Sequence, residues 1–175
     1  MAYQKLQAGR VLQVVPADGI NIPNPAAVAA NGTTSADGRA ANQLIDAAAT
    51  FLDDNIKVGD IIYASTGATS NWTLAATVKE VVNDTTLEVE NSSSGAATLF
   101  NTGLIYRIFS QTDNPQNGCC LYIGDVSGGT AVEVDTAGGD EKIDFVGVNA
   151  GQFMPVNVLR VYKTNTTAAS ILALW

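Results

Sequence analysis

The chain has 175 residues, of which 46% are hydrophobic and only 15% are charged. This length and apolar content are sufficient to bury a core, and they exclude a disordered chain. The formal net charge is −8 and Lys and Arg are scattered, so the sequence lacks the clustered basic residues that direct nucleic-acid binding needs. Histidine is absent and there are only two cysteines, which excludes a Ser-His-Asp or Cys-His nucleophilic centre and a Cys/His zinc site within one chain.

The charged share is low against a usual value of about 25%. Asn, Thr, Ser and Gln must therefore form much of the polar surface, as is common where neighbouring subunits cover a protein. The sequence has no apolar run of about 18 residues and no charged-then-apolar leader, so we expect neither a membrane span nor a signal peptide.

The N-terminal region, residues 1–41, is predicted to be one strand followed by an extended arm. Residues 5–15 have the composition of a strand that ends at Pro16. Residues 16–41 contain few large apolar side chains, and Pro23 and Pro25 favour extended chain. We therefore expect the arm to lie against a neighbouring subunit, with Pro23 and Pro25 at the interface.

Residues 42–111 are predicted to form a small antiparallel barrel. Residues 42–54 fit either a short helix or a short strand at Leu44-Ile45 with Phe51 dropping into a core, and the pattern slightly favours the strand. The strands expected after it lie at 61–63, 72–82, 85–90 and 104–109, with hairpin spacing between them.

Residues 118–175 are predicted to form a β-sandwich lobe after a polar linker at 112–118. Its strands are expected at 119–123, 130–135, 141–145, 156–162 and 169–175, with hairpin turns at Gly128-Gly129 and Gly138-Gly139. The N-terminal strand is the candidate sixth strand. The fold class is therefore all-β: an antiparallel sandwich with a small barrel inserted after its first strand. The last strand is apolar up to Trp175, which we expect in a core or a subunit contact.

No residues are predicted to be catalytic, cofactor-binding or metal-binding. Cys119 and Cys120 are neighbours in a strand and point to opposite faces, so they are predicted to be two small apolar residues that assembly does not need. The carboxylates of Asp135, Asp140, Glu141 and Asp144 are the best metal candidate, but their spacing does not match a calcium loop. The glycine-rich run 124–129 lacks the following helix that phosphate binding uses. A carboxylate pair for glycoside hydrolysis remains open, but the low aromatic content disfavours an enzyme.

Several segments resemble known virion proteins. Leu121-Tyr-Ile-Gly124, Ala150-Gly-Gln-Phe-Met-Pro-Val156 and Ile171-Leu-Ala-Leu-Trp175 look like a pattern in small structural proteins of tailed phages and gene transfer agents, namely the head spike base proteins of capsid vertices. Leu44-Ile-Asp46 and Val58-Gly-Asp-Ile-Ile62 are similar to small barrel modules in virion proteins of marine phages.

These resemblances imply a non-enzymatic virion structural protein that needs no cofactor. It would bind the major capsid protein or other virion proteins as a head decoration, cement or vertex protein. We expect a homo-oligomer, such as a ring of three or five, that is synthesised in the host cytoplasm and placed on the outer surface of the head, away from nucleic acid and membranes. The alternatives are a neck, tail or baseplate component, a carbohydrate-binding module for the host surface, and a phage-encoded hydrolase.

Overall fold

The computed structural model describes residues 8–24, 28–38, 41–67, 72–91, 100–111 and 118–175. Within these ranges the chain is all-β, with two six-stranded antiparallel sheets and no α-helix. The predicted fold class is therefore confirmed. The predicted linker at 112–118, except Gly118, and Pro25 lie outside the described residues.

The first sheet forms the sandwich lobe, in the order β1-β12-β8-β11-β9-β10. Its strands are β1 (Val11–Gln13), β8 (Cys119–Asp125), β9 (Ala131–Thr136), β10 (Ile143–Val146), β11 (Phe153–Val161) and β12 (Ala169–Leu174). The N-terminal strand pairs with the C-terminal one, and Val11 lies opposite Leu174. The predicted sixth strand is thus β1.

The second sheet forms the barrel lobe, in the order β2-β7-β4-β5-β6-β3. Its strands are β2 (Val28–Thr33), β3 (Gln43–Ile45), β4 (Ile61–Ser65), β5 (Leu74–Asn83), β6 (Thr86–Asn91) and β7 (Ile105–Phe109). The sheet curls into a half-barrel, and just beyond β2 the amide of Ser35 donates to the carbonyl of Ile45 in β3 over 2.9 Å. The barrel lobe is therefore inserted between β1 and the rest of the sandwich, as the sequence predicts, but it begins at β2 and not at the predicted boundary of residue 42.

The ambiguous segment at 42–54 folds as the favoured alternative. Leu44 lies in the short strand β3 and Phe51 in the loop after it, and both side chains are fully buried. The ring of Phe51 fills the barrel core from this loop, so the segment buries its large apolar side chain without forming a helix.

The arm prediction is wrong for two described parts of residues 16–41. Residues 28–33 form β2 and pair with β7 along most of its length. Ile22 is buried in the core of the sandwich lobe, and Ala17 and Ile20 are buried where this lobe meets the barrel lobe. The amides of Ala17 and Ile22 donate to the carbonyls of Val161 (2.9 Å) and Leu159 (2.8 Å). A few medium-sized apolar residues are enough to bury this segment because backbone hydrogen bonds to β11 hold it in place.

The hairpin predicted at Gly128-Gly129 is also wrong. β8 and β9 both pair with β11 and are not neighbours, so residues 126–130 cross from one side of β11 to the other. β11 has register shifts between Met154 and Val158 and between Val158 and Arg160. Bulges of this kind bend a strand, which lets the first part of β11 pair with β8 and the second part with β9. Gly138-Gly139 does lie in the β9–β10 hairpin, as predicted.

A shared apolar core joins the two lobes. β1 and the segment after it contribute Leu12, Val15, Ala17 and Ile20, while the barrel lobe contributes Ile61, Tyr63, Trp72, Ala75 and Phe109. The buried amide of Val15 donates to the hydroxyl of Tyr63 over 3.3 Å. Trp175 packs against this joint core and against the sandwich core. The C-terminal residue therefore lies between the two lobes.

We predict that Trp175→Ala lowers the free energy of unfolding by about 3 kcal/mol, because it removes a large side chain shared by two cores. Chemical denaturation would measure the loss. Val82→Ala, at a side chain that is 46% exposed, serves as the control and should change stability by less than about 0.5 kcal/mol. Equal denaturation midpoints for the two variants would contradict the position of Trp175 between the lobes.

Candidate interaction surface

The outer face of the sandwich lobe is apolar across four neighbouring strands. Along β8, Cys119, Leu121 and Ile123 are buried, so the alternate side chains of Cys120 and Tyr122 point outward. The same alternation turns Leu172 and Leu174 of β12 outward. We define the outer face as Val11, Gln13, Cys120, Tyr122, Phe153, Pro155, Leu172 and Leu174.

Strand register arranges these side chains in two rows. One row runs across the strands through Gln13, Leu172, Tyr122 and Phe153, which are direct cross-strand partners. The other row runs through Val11, Leu174 and Cys120. The bulged part of β11, which begins at Pro155, lies opposite Cys120. The first row contains the two large aromatic side chains, Tyr122 and Phe153. In the second row, the side chains on β8 and β11 are smaller.

The outer face is exposed but carries no charge. Val11 is 56%, Phe153 40% and Tyr122 37% exposed. By contrast, the outward side chains of β5 and β6 include Lys79 and Glu88, which form an ion pair. Exposed apolar surface that is continuous over several strands commonly marks a contact with another macromolecule. The absence of charge is therefore local to this face and not a mere consequence of the composition.

Of the residues predicted to form the interface, the two that the structure describes, Pro23 and Trp175, do not lie on this face. Pro23 is buried beside Ile22 on the chain's own sandwich lobe. Trp175 packs into the two cores, and Pro25 lies outside the described residues. The signal for the outer face was present in β12, whose side chains are apolar on both sides of the strand. Such a strand is covered on both faces, whereas a strand with one solvated face alternates.

The two cysteines have different environments. Both are free, with Cys119 buried and Cys120 half-buried. Burial is the main reason why the pKa of Cys119 rises to about 12. The thiol of Cys119 faces the carbonyl oxygen of Val158 at 3.5 Å. Cys119 is therefore a protonated core residue, and Cys120 is the thiol on the outer face.

The carboxylates considered for a metal do not converge. Asp135 is buried and accepts hydrogen bonds from the hydroxyl of Tyr162 (2.8 Å) and the amide of Lys142 (3.0 Å), with the guanidinium of Arg160 3.3 Å away. Asp140, Glu141 and Asp144 are exposed. Among the described residues, no group of three or more His, Cys, Asp or Glu side chains could hold a metal ion. Asp135 instead fixes Arg160, which also donates to the Asn21 side chain over 3.0 Å.

A buried tyrosine–carboxylate pair closes the open side of the half-barrel. The hydroxyl of Tyr106 donates to Asp46 over 2.7 Å, and the other oxygen of Asp46 accepts from the amide of Ala48 over 3.0 Å. Burial raises the pKa of Tyr106, so its phenol remains protonated and keeps donating. A Cβ at Gly32 would lie 2.4 Å from the Asp46 carboxylate, so a side chain at this position would displace the hydrogen-bonded pair. The adjoining cleft of about 390 Å³ is bordered by Asp46 and Tyr106, which are already hydrogen-bonded to each other.

Asp18 ties the segment after β1 to the turn between β11 and β12. Its carboxylate accepts hydrogen bonds from the amides of Lys163 (2.9 Å) and Thr164 (3.0 Å) and from the Thr164 hydroxyl (2.7 Å). The hydroxyl of Thr164 is the largest of the contacts that hold the pKa of Asp18 below its usual value. The ionised carboxylate therefore stabilises this turn.

Comparisons with known proteins identify no relative: no family model, no curated protein and no solved structure matches the chain. Within the described residues, no helix is long and apolar enough to span a membrane.

We predict that native protein reacts with a maleimide at Cys120 only. The thiolate is the reactive form of cysteine, and the raised pKa and burial of Cys119 suppress it. Intact-mass spectrometry should find one addition before unfolding and two after, and Cys120→Ser should remove the first. Two additions at equal rates in native protein would contradict the assignment.

We also predict a pH-dependent role for Asp18. Asp18→Ala should lower the free energy of unfolding by about 1 kcal/mol near neutral pH, since it removes exposed hydrogen bonds to a charged acceptor. Because folding lowers the pKa of Asp18, its contribution is present above the unfolded pKa of about 3.9 and is lost as pH falls through the folded value. The gap between the unfolding midpoints of wild type and variant should thus narrow in acid. A gap that stays constant with pH would refute this role.

Proposed function

We propose that this chain is a structural subunit of a tailed-phage virion that acts by binding other protein subunits and not by catalysis. The observation that supports this most strongly is the outer face, an uncharged and largely apolar surface on four strands of one sheet. The phage assignment itself is supported by the sequence resemblance to head spike base proteins. The position proposed is the outer surface of the head, as a decoration, cement or vertex protein in contact with the major capsid protein or other head proteins.

The joint core supports a rigid, load-transmitting role. Tyr63 and Trp72 of the barrel lobe and Leu12 of β1 are nearly inaccessible to solvent in the same cluster. Apolar contacts shared by the two lobes oppose their independent movement, because separating them would expose large side chains to water. A subunit of this kind can bind on one lobe and present the other to the outside.

The net charge supports an outward position. A charge of −8 repels packaged DNA, so a chain of this kind is better suited to the outside of a capsid than to its lining. Repetition of one small contact around a symmetric particle adds avidity, so each individual contact need not be strong.

We predict that Tyr122→Glu reduces binding to particles of the encoding phage by about tenfold or more, since a buried, unpaired charge costs several kcal/mol. Co-sedimentation with particles lacking the endogenous chain would measure binding. Val82→Glu introduces the same charge at an exposed β position of the barrel lobe and should bind as wild type does. Both variants should keep the wild-type melting temperature within a few degrees.

Protein quantification of purified virions would test the assignment itself. Hundreds of copies per particle would indicate a decoration protein, and sixty or fewer would indicate a vertex or tail component. Virions without the chain, or wild-type binding by Tyr122→Glu, would refute the proposal in its present form.

A further inference from the structure

We propose that a second site on this chain binds a neutral sugar. The site is a cleft of about 430 Å³ beside β9 and the turn that follows β11, and we define this polar cleft by Glu133, Lys142, Arg160, Tyr162 and Asn165. It shares no residue with the outer face, and its volume is that of ordinary small-molecule sites, roughly 300–1,000 Å³. A sugar site adds a ligand to the proposed virion subunit and rests on that function only where repeated copies multiply weak binding.

Glu133 supplies an acceptor that no protein group fills. Val132 and Val134 point into the sandwich core, so Glu133, between them on β9, points to the opposite side. The residue is only 6% exposed, and its Oε1 accepts from the side-chain amide of Asn165 over 2.9 Å. Within the described part of the chain, no donor bonds to Oε2. A buried carboxylate oxygen without a donor is costly, so this oxygen would hold a hydroxyl group bound in the cleft.

Lys142 and Arg160 supply donors to the same cleft. Lys142 has a φ of +53°, a left-handed conformation that is uncommon for residues other than glycine, and its amide donates to Asp135 over 3.0 Å. Its ammonium group lies 5.7 Å from the centre of the Tyr162 ring, and no described carboxylate forms an ion pair with it. Arg160 binds Asn21 through Nε and Asp135 through Nη1, which leaves Nη2 without an acceptor among the residues described. Backbone strain of the kind seen at Lys142 is common at functional sites.

Internal hydrogen bonds hold these groups in place before a ligand binds. The hydroxyl of Tyr162 donates to Asp135 over 2.8 Å, and the same carboxylate pairs with Arg160. At the other end of the cleft, Asp18 accepts two backbone hydrogen bonds from the turn that carries Asn165. A preorganised site loses little conformational entropy on binding. The polar cleft is therefore a fixed arrangement of donors and acceptors.

The lining selects a neutral ligand with several hydroxyl groups. An anion would be repelled by Glu133, and a cation would be repelled by Lys142 and Arg160. An apolar ligand would take water from all three charged groups and give no partner in return. A hydroxyl both donates and accepts, so the hydroxyls of one sugar ring can donate to Glu133 and accept from Lys142 and Arg160. A free amino acid offers only one group of each sign and would leave part of the lining unfilled.

The geometry predicts weak recognition by hydrogen bonds. Tyr162 is only 6% exposed, and the cations of Lys142 and Arg160 already lie 5.7 and 5.5 Å from the centre of its ring, so the ring cannot stack on a sugar. A monosaccharide held by hydrogen bonds alone should have a dissociation constant in the millimolar range. Many copies of the site on one particle would multiply such binding to a surface coated with polysaccharide.

Saturation-transfer NMR on the full-length protein can detect binding in this range. Glucose, galactose, mannose, N-acetylglucosamine and, as the zwitterionic alternative, glycine would each be tested at about 10 mM. We expect saturation transfer to at least one sugar. Glu133→Gln keeps an acceptor for Asn165 but replaces the unfilled oxygen with an NH₂ donor, so the affinity should fall about tenfold or more. Glu141→Gln removes the same charge at an exposed residue outside the cleft and should bind as wild type does.

Lys142→Met provides a second variant that leaves the buried groups unchanged. Its side chain is exposed and the hydrogen bond from its amide to Asp135 is retained, so it should keep the wild-type melting temperature within a few degrees and bind several-fold more weakly. No sugar binding by wild type, undiminished binding by either cleft variant, or binding of glycine in place of sugars would refute the site. These results would leave the virion proposal intact, because the loss of particle binding on Tyr122→Glu depends on the outer face alone.

Discussion

The antiparallel pairing of β1 with β12 is the constraint on which the rest of the structure depends. Val11 and Leu174 are register partners although they lie near opposite ends of the chain, and the backbone of Trp175 bonds to that of Arg10 and Gly9. This pairing places Leu12 and Trp175 together on the inner side, where they pack against the barrel lobe. The same pairing turns Val11 and Leu174 outward. The core that joins the lobes and the face proposed for assembly are thus opposite sides of one strand pair.

The pairing also makes folding depend on contacts distant in sequence. β1 cannot complete the sheet until residues near the C-terminus are available, and the whole barrel lobe lies between them. Long-range β pairing of this kind carries a large loop-closure entropy and slows folding. The barrel lobe has its own core around Phe51, Leu87 and Ile108, and two of its strand pairs, β4–β5 and β5–β6, are sequence-neighbouring hairpins. Folding of the inserted lobe would shorten the effective loop that β1 and β12 must close.

The bulges in β11 connect the fold to the outer face. They bend β11 so that its first part pairs with β8 and its second part pairs with β9. They also place Pro155 and its neighbours opposite Cys120. The smaller row of the face is a consequence of this irregularity. In a regular β11, a single residue would lie opposite Cys120 in place of the bulged segment. The difference in side-chain height between the two rows would then be lost. The local backbone defect therefore shapes the outer face at β8 and β11.

The sequence by itself determined most of the strands, because alternation of apolar residues and turn-forming Gly, Asn and Asp are local signals. It also slightly favoured a strand at Leu44, indicated that the barrel is inserted, and left Trp175 open between a core and a subunit contact. It carried no signal for β2, whose Ala, Asn and Gly residues have no apolar periodicity and become a strand only through pairing with β7. Only the tertiary structure decided that β11 separates β8 from β9, since strand order depends on contacts between distant residues. It also decided the outer face, because the two apolar sides of β12 look alike in sequence, and only the packing of Ile171 and Ala173 into the core turns Leu172 and Leu174 outward.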